Sequence, residues 1–301
     1  MKLEIVVPCF NEEKNIKLFY DEVNNVLNDD YEWNIIFVND GSSDNTLDEI
    51  KKLDKVNYIS FSRNFGKEAA IYAGLKKTTA DYVILMDVDL QDPPSLIPEM
   101  IKYIDDYDIV ATRRISRDGE PIIRSFFARR FYKLINRVSD IDLVDGARDF
   151  RLMKRNVVDS VLELNEINRF SKGIFQWIGF ETKWIEYENV ERMEGETSWS
   201  FWELLKYSIE AIMSFSVTPL YISAFMGILF SILAFIFMIF IIIRTLIFDD
   251  PVSGWPSTIC IILFISGIQL FSIGILGQYL AKTYIETKNR PKYIINEEDF
   301  N

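Results

Sequence analysis

Two long apolar runs in the last third of this 301-residue chain limit the folds open to it. Residues 220–243 contain no charged side chain, and residues 258–280 carry only Gln269 and Gln278 as bulky polar residues. Each run exceeds the ~20 residues that a helix needs to cross a bilayer. The alternative is a pair of buried core helices, which rarely stay uncharged on every face for so long. The sequence therefore predicts a two-helix transmembrane hairpin within residues 216–285.

The charges around these runs predict the orientation of the chain in the membrane. The link at residues 245–257 has acidic Asp249 and Asp250, whereas the segment after the second run is basic, with Lys282, Lys288, Arg290 and Lys292. Basic residues favour the cytoplasmic side of a membrane. Arg244 departs from this rule, although a long side chain near a span end can snorkel to the interface. We therefore expect a cell-membrane protein with a cytoplasmic domain at residues 1–215 and a cytoplasmic tail at 286–301.

The N-terminal part of the chain alternates between strand-like and helix-like segments. Strand patterns occur at residues 3–10, 34–39, 56–61, 82–87 and 108–112, and helical patterns lie between them at 12–27, 46–53, 67–77 and 95–104. This alternation favours an α/β fold with a mostly parallel sheet covered by helices. Neither the G-x-G-x-x-G fingerprint nor a P-loop is present, so a dinucleotide-binding domain and a P-loop ATPase are disfavoured.

Carboxylates stand where two of these strands end. Asp40 follows the run at residues 35–39, and Asp87 and Asp89 follow the run at residues 82–86. Ligands of open α/β sheets bind outside the carboxyl ends of the strands. The chain has no His and two Cys, so oxygen ligands point to Mg²⁺ or Mn²⁺, which commonly also hold a substrate's phosphates. The pattern indicates an enzyme acting on a nucleoside diphosphate compound. The alternative for Asp40 and Asp89 is an ordinary turn or N-cap residue.

A basic segment interrupts this acidic protein, whose net charge of −12 argues against nucleic-acid binding. Residues 113–138 place Arg and Lys side chains between apolar residues at near-helical spacing. This pattern predicts an amphipathic helix on the membrane surface or against anionic phosphates, and the alternative is a solvated face of an ordinary helix. Residues 199–215 are similar but richer in aromatic side chains, which suit the headgroup interface.

Several ordered motifs carry a family resemblance that covers nearly the whole chain. They stand at residues 6–12 (VVPCFNE), 38–44 (VNDGSSD), 65–70 (FGKEAA), 87–94 (DVDLQDPP), 146–151 (GARDFR), 277–279 (GQY) and 290–293 (RPKY). Together with the terminal hairpin they resemble family 2 glycosyltransferases with a GT-A fold. The most similar subgroup is the polyisoprenyl-phosphate glycosyltransferases, which include dolichol-phosphate mannose synthases and the two-span bactoprenol glucosyltransferases of bacteria.

The resemblance implies a role for each matching residue. The nucleotide pocket would be formed by Pro8, Asn11, Glu12, Asp40, Lys67 and Asp87. The Mg²⁺ or Mn²⁺ ion would be bound by Asp87, Asp89 and Gln91. The catalytic residues would be Asp149, as the base, and Asp87. The alternative for Asp149 is an ion pair with its neighbour Arg148 or Arg151.

The resemblance also implies residues that meet the phosphates of the lipid acceptor. These would be Arg117, Arg124 and Arg192, together with the position of Ser198. Many relatives have a Lys where this chain has Ser198 in the stretch Gly195 to Trp199, so a phosphate-binding cation is absent there.

The implied reaction moves a sugar, from UDP-glucose or UDP-N-acetylglucosamine, to polyprenyl (undecaprenyl) phosphate with inversion, for glycosylation of cell-envelope glycans. Galactose and mannose donors also stay open, because none of these residues selects a particular hydroxyl. Relatives imply a homotetramer. The second pKa of a phosphate monoester is about 6, so the acceptor is already mostly dianionic at neutral pH and needs little help from a base. Asp149 would then mainly orient the acceptor or an arginine.

Three other functions stay open from the sequence. A processive polysaccharide synthase of the same fold usually carries a Q-x-x-R-W stretch, which is absent here, where only Gln176 and Trp177 stand together. A non-catalytic membrane scaffold that retained the fold is disfavoured by the intact acidic residues. A transporter or flippase is disfavoured because two spans per chain are too few without subunit assembly.

Overall fold

A computed structural model describes residues 1–27, 31–115, 135–137, 139, 141–188, 212–248 and 254–300 of the chain. The chain forms two compact units, Met1–Ala211 with Arg290–Asn301, and Ile212–Asn289. The first unit contains the sheet, and the second contains two long apolar helices.

The described part of the first unit is an α/β arrangement. Its strands are β1 (Lys2–Cys9), β2 (Glu32–Asn39), β3 (Val56–Phe61), β4 (Tyr82–Leu85), β5 (Ile109–Arg114), β6 (Ala147–Lys154), β7 (Thr182–Tyr187) and β8 (Ile295–Asp299). Its helices are α1 (Asn15–Leu27), α2 (Thr46–Ile50), α3 (Lys67–Lys77), α4 (Ile97–Tyr103), α5 (Arg155–Glu163) and α6 (Ser171–Trp177), and a 3-10 turn at Pro94–Leu96 precedes α4.

The strands form one mixed sheet in the order β7-β5-β6-β4-β1-β2-β3-β8. The pairs β1/β2, β1/β4, β2/β3 and β5/β7 are parallel. Strand β6 is antiparallel to both β4 and β5, and β8 is antiparallel to β3. The expected mostly parallel sheet is therefore correct for β1 to β4, and the reversal of β6 is the main departure. Because β6 runs backwards, it begins at the edge of the sheet where β4 ends.

The central strands are buried on both faces, which explains their nearly continuous apolar sequences. On one face Ile5 and Val7 of β1 belong to a core with Phe19 of α1. The opposite face packs against α3, whose Ala70 and Ala73 are fully buried. Small residues let this helix approach the sheet closely. The two faces together fix the edge where the strands end.

The predicted helix at residues 113–138 does not begin where the sequence suggests. Arg113 and Arg114 are the last residues of β5, where they pair with Glu186 and Tyr187 of β7. An ion pair between the side chains of Arg113 and Glu186 adds to the backbone ladder. Strand pairing therefore overrides the helical pattern at this end. Most of the segment, like most of the predicted interfacial helix at 199–215, lies outside the described residues.

The tail of the chain returns to the sheet, which the sequence does not predict. Strand β8 covers the outer edge of β3, and Tyr293 stacks on Phe61 with ring centroids 4.9 Å apart. Lys51 pairs with Glu297 at 2.8 Å, and Lys77 pairs with Glu298 at 2.8 Å. Covering the edge hides backbone groups that would otherwise be free to pair with another chain.

The second unit contains helices α7 (Thr218–Phe248) and α8 (Trp255–Thr287), which match the predicted hairpin but extend beyond residues 220–243 and 258–280. Residues 218–244 and 261–287 are long and apolar enough to cross a membrane, with mean hydropathies of 3.0 and 1.9. Their most apolar windows are not buried within the protein. The helices contact each other where Phe230 meets Phe264 edge-on, and the Tyr279 hydroxyl of α8 donates at 2.7 Å to the carbonyl of Ser216, two residues before α7.

Candidate active site

The reversal of β6 brings Asp149 beside Asp87. Leu85, the last residue of β4, pairs with Arg151 of β6 in antiparallel register. Asp87 lies two residues after Leu85, and Asp149 lies two residues before Arg151. Because the strands run in opposite directions, both steps lead toward the same edge of the sheet. Lys67, the first residue of α3, joins them, because its Nζ lies 2.6 Å from Asp87 Oδ1 and 2.6 Å from Asp149 Oδ2. Three separate elements thus converge on one charged cluster.

The charges in this cluster stabilise one another. Desolvation acts to raise the pKa of Asp149, but the neighbouring ammonium groups of Lys67 and Lys172 outweigh it and hold that pKa well below its usual range. Desolvation acts to lower the pKa of Lys67, and the carboxylates of Asp149 and Asp87 raise it above its ordinary value. The Asp149 side chain is only 14% exposed. Asp149 is therefore an ionised, partly buried carboxylate at neutral pH.

Arg148 forms its ion pair with Asp92 and not with its sequence neighbour Asp149. Its Nε donates to Asp92 Oδ1 at 2.9 Å, and its Nη2 donates to Gln91 Oε1 at 3.2 Å. The hydroxyl of Tyr187 also donates to Asp92 Oδ1. Burial raises the pKa of the fully buried Asp92, and Arg148 partly offsets this effect. This network ties the loop after β4 to strands β6 and β7.

Arg151 does not form the ion pair with Asp149 that the sequence leaves open. Its Nε and Nη2 donate to the backbone carbonyls of Asp149 and Arg148 at 3.1 and 2.9 Å. Its guanidinium also lies 3.7 Å from the centroid of the Phe175 ring. Asp149 pairs instead with Lys67, 82 positions away in sequence. Residues two apart on a strand share a face of the sheet, so the difference lies in the Arg151 guanidinium, which its contacts with the two backbone carbonyls and the Phe175 ring hold away from the Asp149 carboxylate.

A cavity of about 290 Å³ opens beside this cluster, at the carboxyl ends of β1, β2 and β4. Six of the predicted nucleotide and metal residues line it: Pro8, Glu12, Asp40, Lys67, Asp87 and Asp89. The other lining residues are Cys9, Phe10, Asn64, Gly66, Ala70 and Val88. Asn11 and Gln91 are not among them. The volume is close to the lower end of the range for small-molecule sites.

Asp40 organises the wall of the cavity. Its Oδ1 accepts from the Phe65 N–H at 2.6 Å, and its Oδ2 accepts from the Gly66 N–H at 2.9 Å. Burial raises the pKa of this carboxyl, while the two backbone hydrogen bonds act in the opposite direction. The carboxylate therefore fixes the loop that leads into Lys67.

Asn11, a predicted residue of the nucleotide pocket, does not line the cavity and instead forms hydrogen bonds with the loop after β2. Its backbone N–H donates to Ser42 Oγ at 2.9 Å, and its side-chain Oδ1 accepts from the Ser43 N–H at 2.9 Å. The backbone of Asn11 is in the left-handed region, with φ of 55°. Asparagine tolerates this conformation better than most residues, so the position suits a link between the end of β1 and the loop after β2.

Gly41 is required where that loop passes Arg63. Its φ is +65°, and an added Cβ would lie 2.3 Å from the backbone carbonyl carbon of Arg63. We expect Gly41→Ala to lower the free energy of unfolding by at least about 2 kcal/mol, from backbone strain plus the clash. The midpoint of thermal unfolding of the full chain checks this. Gly179→Ala is the matched control, since Gly179 has φ of +71° but open space around it. Equal shifts in the two variants would contradict a role for the Arg63 contact.

The carboxylates at the cavity have the chemistry of a Mg²⁺ or Mn²⁺ site. Asp87 and Asp89 line it, and Asp89 Oδ1 accepts from the Gln91 N–H at 3.2 Å. No group of three His, Cys, Asp or Glu residues among the described positions would enclose an ion by itself. Two carboxylates still fit these ions, which usually take one or two protein carboxylates and complete their shell with water and substrate phosphates. The Gln91 side-chain oxygen accepts from Arg148 in this arrangement.

Several residues of the site were not predicted from the sequence. Glu68 accepts hydrogen bonds from the backbone N–H and the hydroxyl of Ser171, which places Lys172 near the Asp149 cluster. Residues 168–173 carry no pattern that marks them as part of a site. Asp92, by contrast, stands inside the matching stretch at 87–94, so the motif itself offered a signal.

The predicted phosphate-binding residues lie outside the described residues. These are Arg117, Arg124, Arg192 and Ser198. Their role stays a prediction.

Comparison with known proteins identifies the family. The model for "Glycosyl transferase family 2" matches residues 4–162. The prophage bactoprenol glucosyl transferase homolog of Escherichia coli (strain K12) is 44% identical over 98% of this chain and 98% of its own length. The bactoprenol glucosyl transferase of Shigella phage SfV is 42% identical over 99% of both chains. The resemblance to the bactoprenol glucosyltransferase branch is thereby confirmed.

A solved structure shares the fold. Glucosyl-3-phosphoglycerate synthase from Mycobacterium tuberculosis matches with a TM-score of 0.51 and 17% identity, over 70% of this chain and 77% of that one. The sheet and its carboxyl-end site agree with the predicted GT-A architecture. The chain is a glycosyltransferase with a GT-A fold and belongs to glycosyl transferase family 2.

Proposed function

We propose that this enzyme transfers glucose from UDP-glucose to a polyprenyl phosphate, with inversion at the anomeric carbon, in the synthesis of cell-envelope glycans. One observation carries the proposal. In a chain that is similar over nearly its full length to bactoprenol glucosyl transferases, Lys67 contacts both Asp87 and Asp149 beside a cavity of about 290 Å³.

The names of the relatives support UDP-glucose as the donor. The relatives at 42–44% identity are named for glucosyl transfer, which favours UDP-glucose over UDP-N-acetylglucosamine. The Mycobacterium tuberculosis synthase with the shared fold is described in complex with Mn²⁺ and UDP-glucose. Asp40 holds the loop at the cavity wall, and Glu12 and Pro8 complete the predicted nucleotide side.

Asp87 and Asp89 would hold the Mg²⁺ or Mn²⁺ ion, and Gln91, the third predicted ligand, would have to turn its side-chain oxygen away from Arg148 to join them. When bound, such an ion supplies Lewis-acid neutralisation of the charge on the departing diphosphate. Lys67 contributes a second positive charge from the cavity wall. Its contact with both Asp87 and Asp149 couples the donor side of the site to the acceptor side.

Asp149 acts mainly by orientation in this proposal. Its depressed pKa makes it a weak proton acceptor at neutral pH. The acceptor phosphate has a second pKa of about 6, so it reaches the site mostly as a dianion with a nucleophilic oxygen already available. Asp149 therefore acts by holding Lys67 in place, and the ammonium group of Lys67, rather than the carboxylate, is the group that attracts the acceptor oxygen.

The two apolar helices support a lipid acceptor. Their most apolar windows are not buried within the protein, whereas a core helix of a soluble protein would bury its apolar side chains. A polyprenyl chain stays in the bilayer, so a membrane hairpin keeps the enzyme beside its acceptor. We place residues 1–215 and the tail on the cytoplasmic side, and the implied homotetramer stays a prediction.

A donor panel tests the proposed function. The purified full chain is incubated with Mn²⁺, undecaprenyl phosphate and one donor at a time: UDP-glucose, UDP-N-acetylglucosamine or GDP-mannose. We expect nucleotide release with UDP-glucose that requires the lipid phosphate, and none with undecaprenol. Release from every donor irrespective of the acceptor would contradict the assignment. UDP binding without transfer to any acceptor would favour the scaffold alternative.

A further inference from the structure

Lys172 is held beside the active-site carboxylates by contacts on both sides of it. The Ser171 backbone N–H donates to both oxygens of Glu68 at 3.0 Å, and the Ser171 hydroxyl donates to the same carboxylate. Phe175, one turn further along α6, lies against the guanidinium of Arg151 on β6. The start of α6 is therefore fixed between the residue after Lys67 and the strand that carries Asp149.

The other cations around Asp149 already have partners. Lys67 pairs with Asp87 and Asp149, Arg148 pairs with Asp92, and Arg151 donates to two backbone carbonyls. Within the described part of the chain, Lys172 makes no hydrogen bond or ion pair. It is the cation of this cluster that has its hydrogen-bond donors free.

A partly buried ammonium group without a partner is costly for a fold. Desolvation lowers the pKa of Lys172, and the nearby charges of Arg148 and Lys67 act in the same direction against the attraction of Asp149. Apolar packing alone does not compensate for the desolvation of this ammonium group. An anionic ligand would supply the missing partner.

The position of Lys172 indicates which anion this is. Lys67 lines the nucleotide cavity, whereas Lys172 does not, although both are close to Asp149. A dianionic phosphate approaching Asp149 meets two carboxylates, Asp149 and Asp87, so it needs a positive charge on its own side. We propose that Lys172 binds the phosphate group of the lipid acceptor next to Asp149. This inference rests on the proposed function.

Lys172→Met tests the inference in the full-length protein, with Lys172→Arg as the conservative variant. The ammonium forms charge-assisted hydrogen bonds, so we expect the KM for undecaprenyl phosphate to rise by about tenfold or more in Lys172→Met. Lys172→Arg should recover part of this loss. The Kd for UDP with Mn²⁺, measured by calorimetry, should stay within about twofold. Lys102→Met, at an exposed position of α4, is the matched control and should change neither constant.

A binding measurement separates this inference from the proposed function. Wild type should bind undecaprenyl phosphate more tightly than undecaprenol, and Lys172→Met should lose that preference, whether or not any sugar is transferred. An unchanged preference, or an unchanged acceptor KM in an active enzyme, overturns the inference. A weaker UDP–Mn²⁺ complex in Lys172→Met with normal acceptor binding also overturns it, since the donor diphosphate would then be the ligand. Inorganic phosphate that binds wild type as tightly as undecaprenyl phosphate, and loses this affinity in Lys172→Met, would assign the site to free phosphate and overturn the inference too.

Discussion

Asp89→Asn is expected to lower kcat/KM for sugar transfer by about a thousandfold, the scale found when a group that stabilises transition-state charge is removed. Asp89 lines the cavity, and its Oδ1 accepts from the Gln91 N–H. The carbonyl oxygen of asparagine can keep that hydrogen bond, so the substitution removes mainly the negative charge. The affinity for Mn²⁺, measured by calorimetry on the nucleotide-bound protein, should fall with the activity.

The control for this variant is Asp21→Asn, an exposed acid on α1. It makes the same change in net charge far from the cavity wall, and we expect activity and Mn²⁺ affinity equal to wild type. An Asp89→Asn enzyme that kept normal Mn²⁺ affinity and normal turnover would remove Asp89 from the metal site. A variant with normal Mn²⁺ affinity but lost turnover would instead indicate that Asp89 acts on the sugar of the donor.

Asp149→Asn is expected to lower kcat by about a hundredfold or more while the Kd for UDP stays within about twofold, as an interaction used mainly in the transition state would require. Lys67 would lose one of its two carboxylate partners, and with it the fixed position from which its ammonium group meets the acceptor. Steady-state kinetics with varied acceptor and calorimetry with UDP measure the two effects separately.

The pH dependence of the same variant tests how Asp149 acts. Its pKa in the fold is below the usual value of about 3.9, so its ion pair is complete above that value and is lost only as the pH falls toward the depressed pKa. Wild type and Asp149→Asn should therefore share one profile of kcat against pH between about 5.5 and 8. An acid limb near neutrality that disappears in Asp149→Asn would show Asp149 titrating as the base.

Asp159→Asn is the control for breaking an ion pair as such. Asp159 accepts from Arg155 at 2.9 Å, and its side chain is 60% exposed. Exposed pairs of this kind contribute little to stability. We expect unchanged kcat, so a comparable loss in both variants would contradict a specific role for Asp149.

Much of the sheet could be predicted from the sequence because its strands and helices have strong local patterns. The β-branched runs of β1 to β4 and the helical segments between them match the structure closely. Acids at the ends of β2 and β4 were expected at one edge of the sheet, and Asp40, Asp87 and Asp89 do line one cavity there. The local periodicity of the sequence predicted these strands and helices, and the location of ligand sites at the carboxyl ends of strands predicted the cavity edge.

Long-range pairing could not be predicted in the same way. Nothing in residues 147–154 marks β6 as antiparallel to β4, and that reversal is what brings Asp149 to Lys67. Residues 295–299 are rich in acids and lack a strand pattern, yet β8 forms because the edge of β3 and the lysines at 51 and 77 accept it. Such contacts depend on which surfaces the rest of the fold leaves open.

Neighbours in sequence do not identify the partners of the charged groups around Asp149. Arg148 and Arg151 are close to Asp149 in sequence, but the Arg148 guanidinium pairs with Asp92 and the Arg151 guanidinium donates to backbone carbonyls. No sequence pattern marks Lys172 as part of the site, because the hydrogen bonds between Ser171 and Glu68 that place it there join residues 103 positions apart. The partners of a charged side chain on a strand can be identified only when the register of the sheet is known.

Mass spectrometry of the lipid product tests the central claim most directly. The purified full chain is incubated with undecaprenyl phosphate, UDP-glucose and Mn²⁺, and the extracted lipid is weighed beside a reaction containing Asp89→Asn. We predict a lipid heavier than the acceptor by one hexose in the wild-type reaction and almost none with the variant. A wild-type enzyme that binds UDP but leaves the mass of the lipid phosphate unchanged would contradict the proposed reaction.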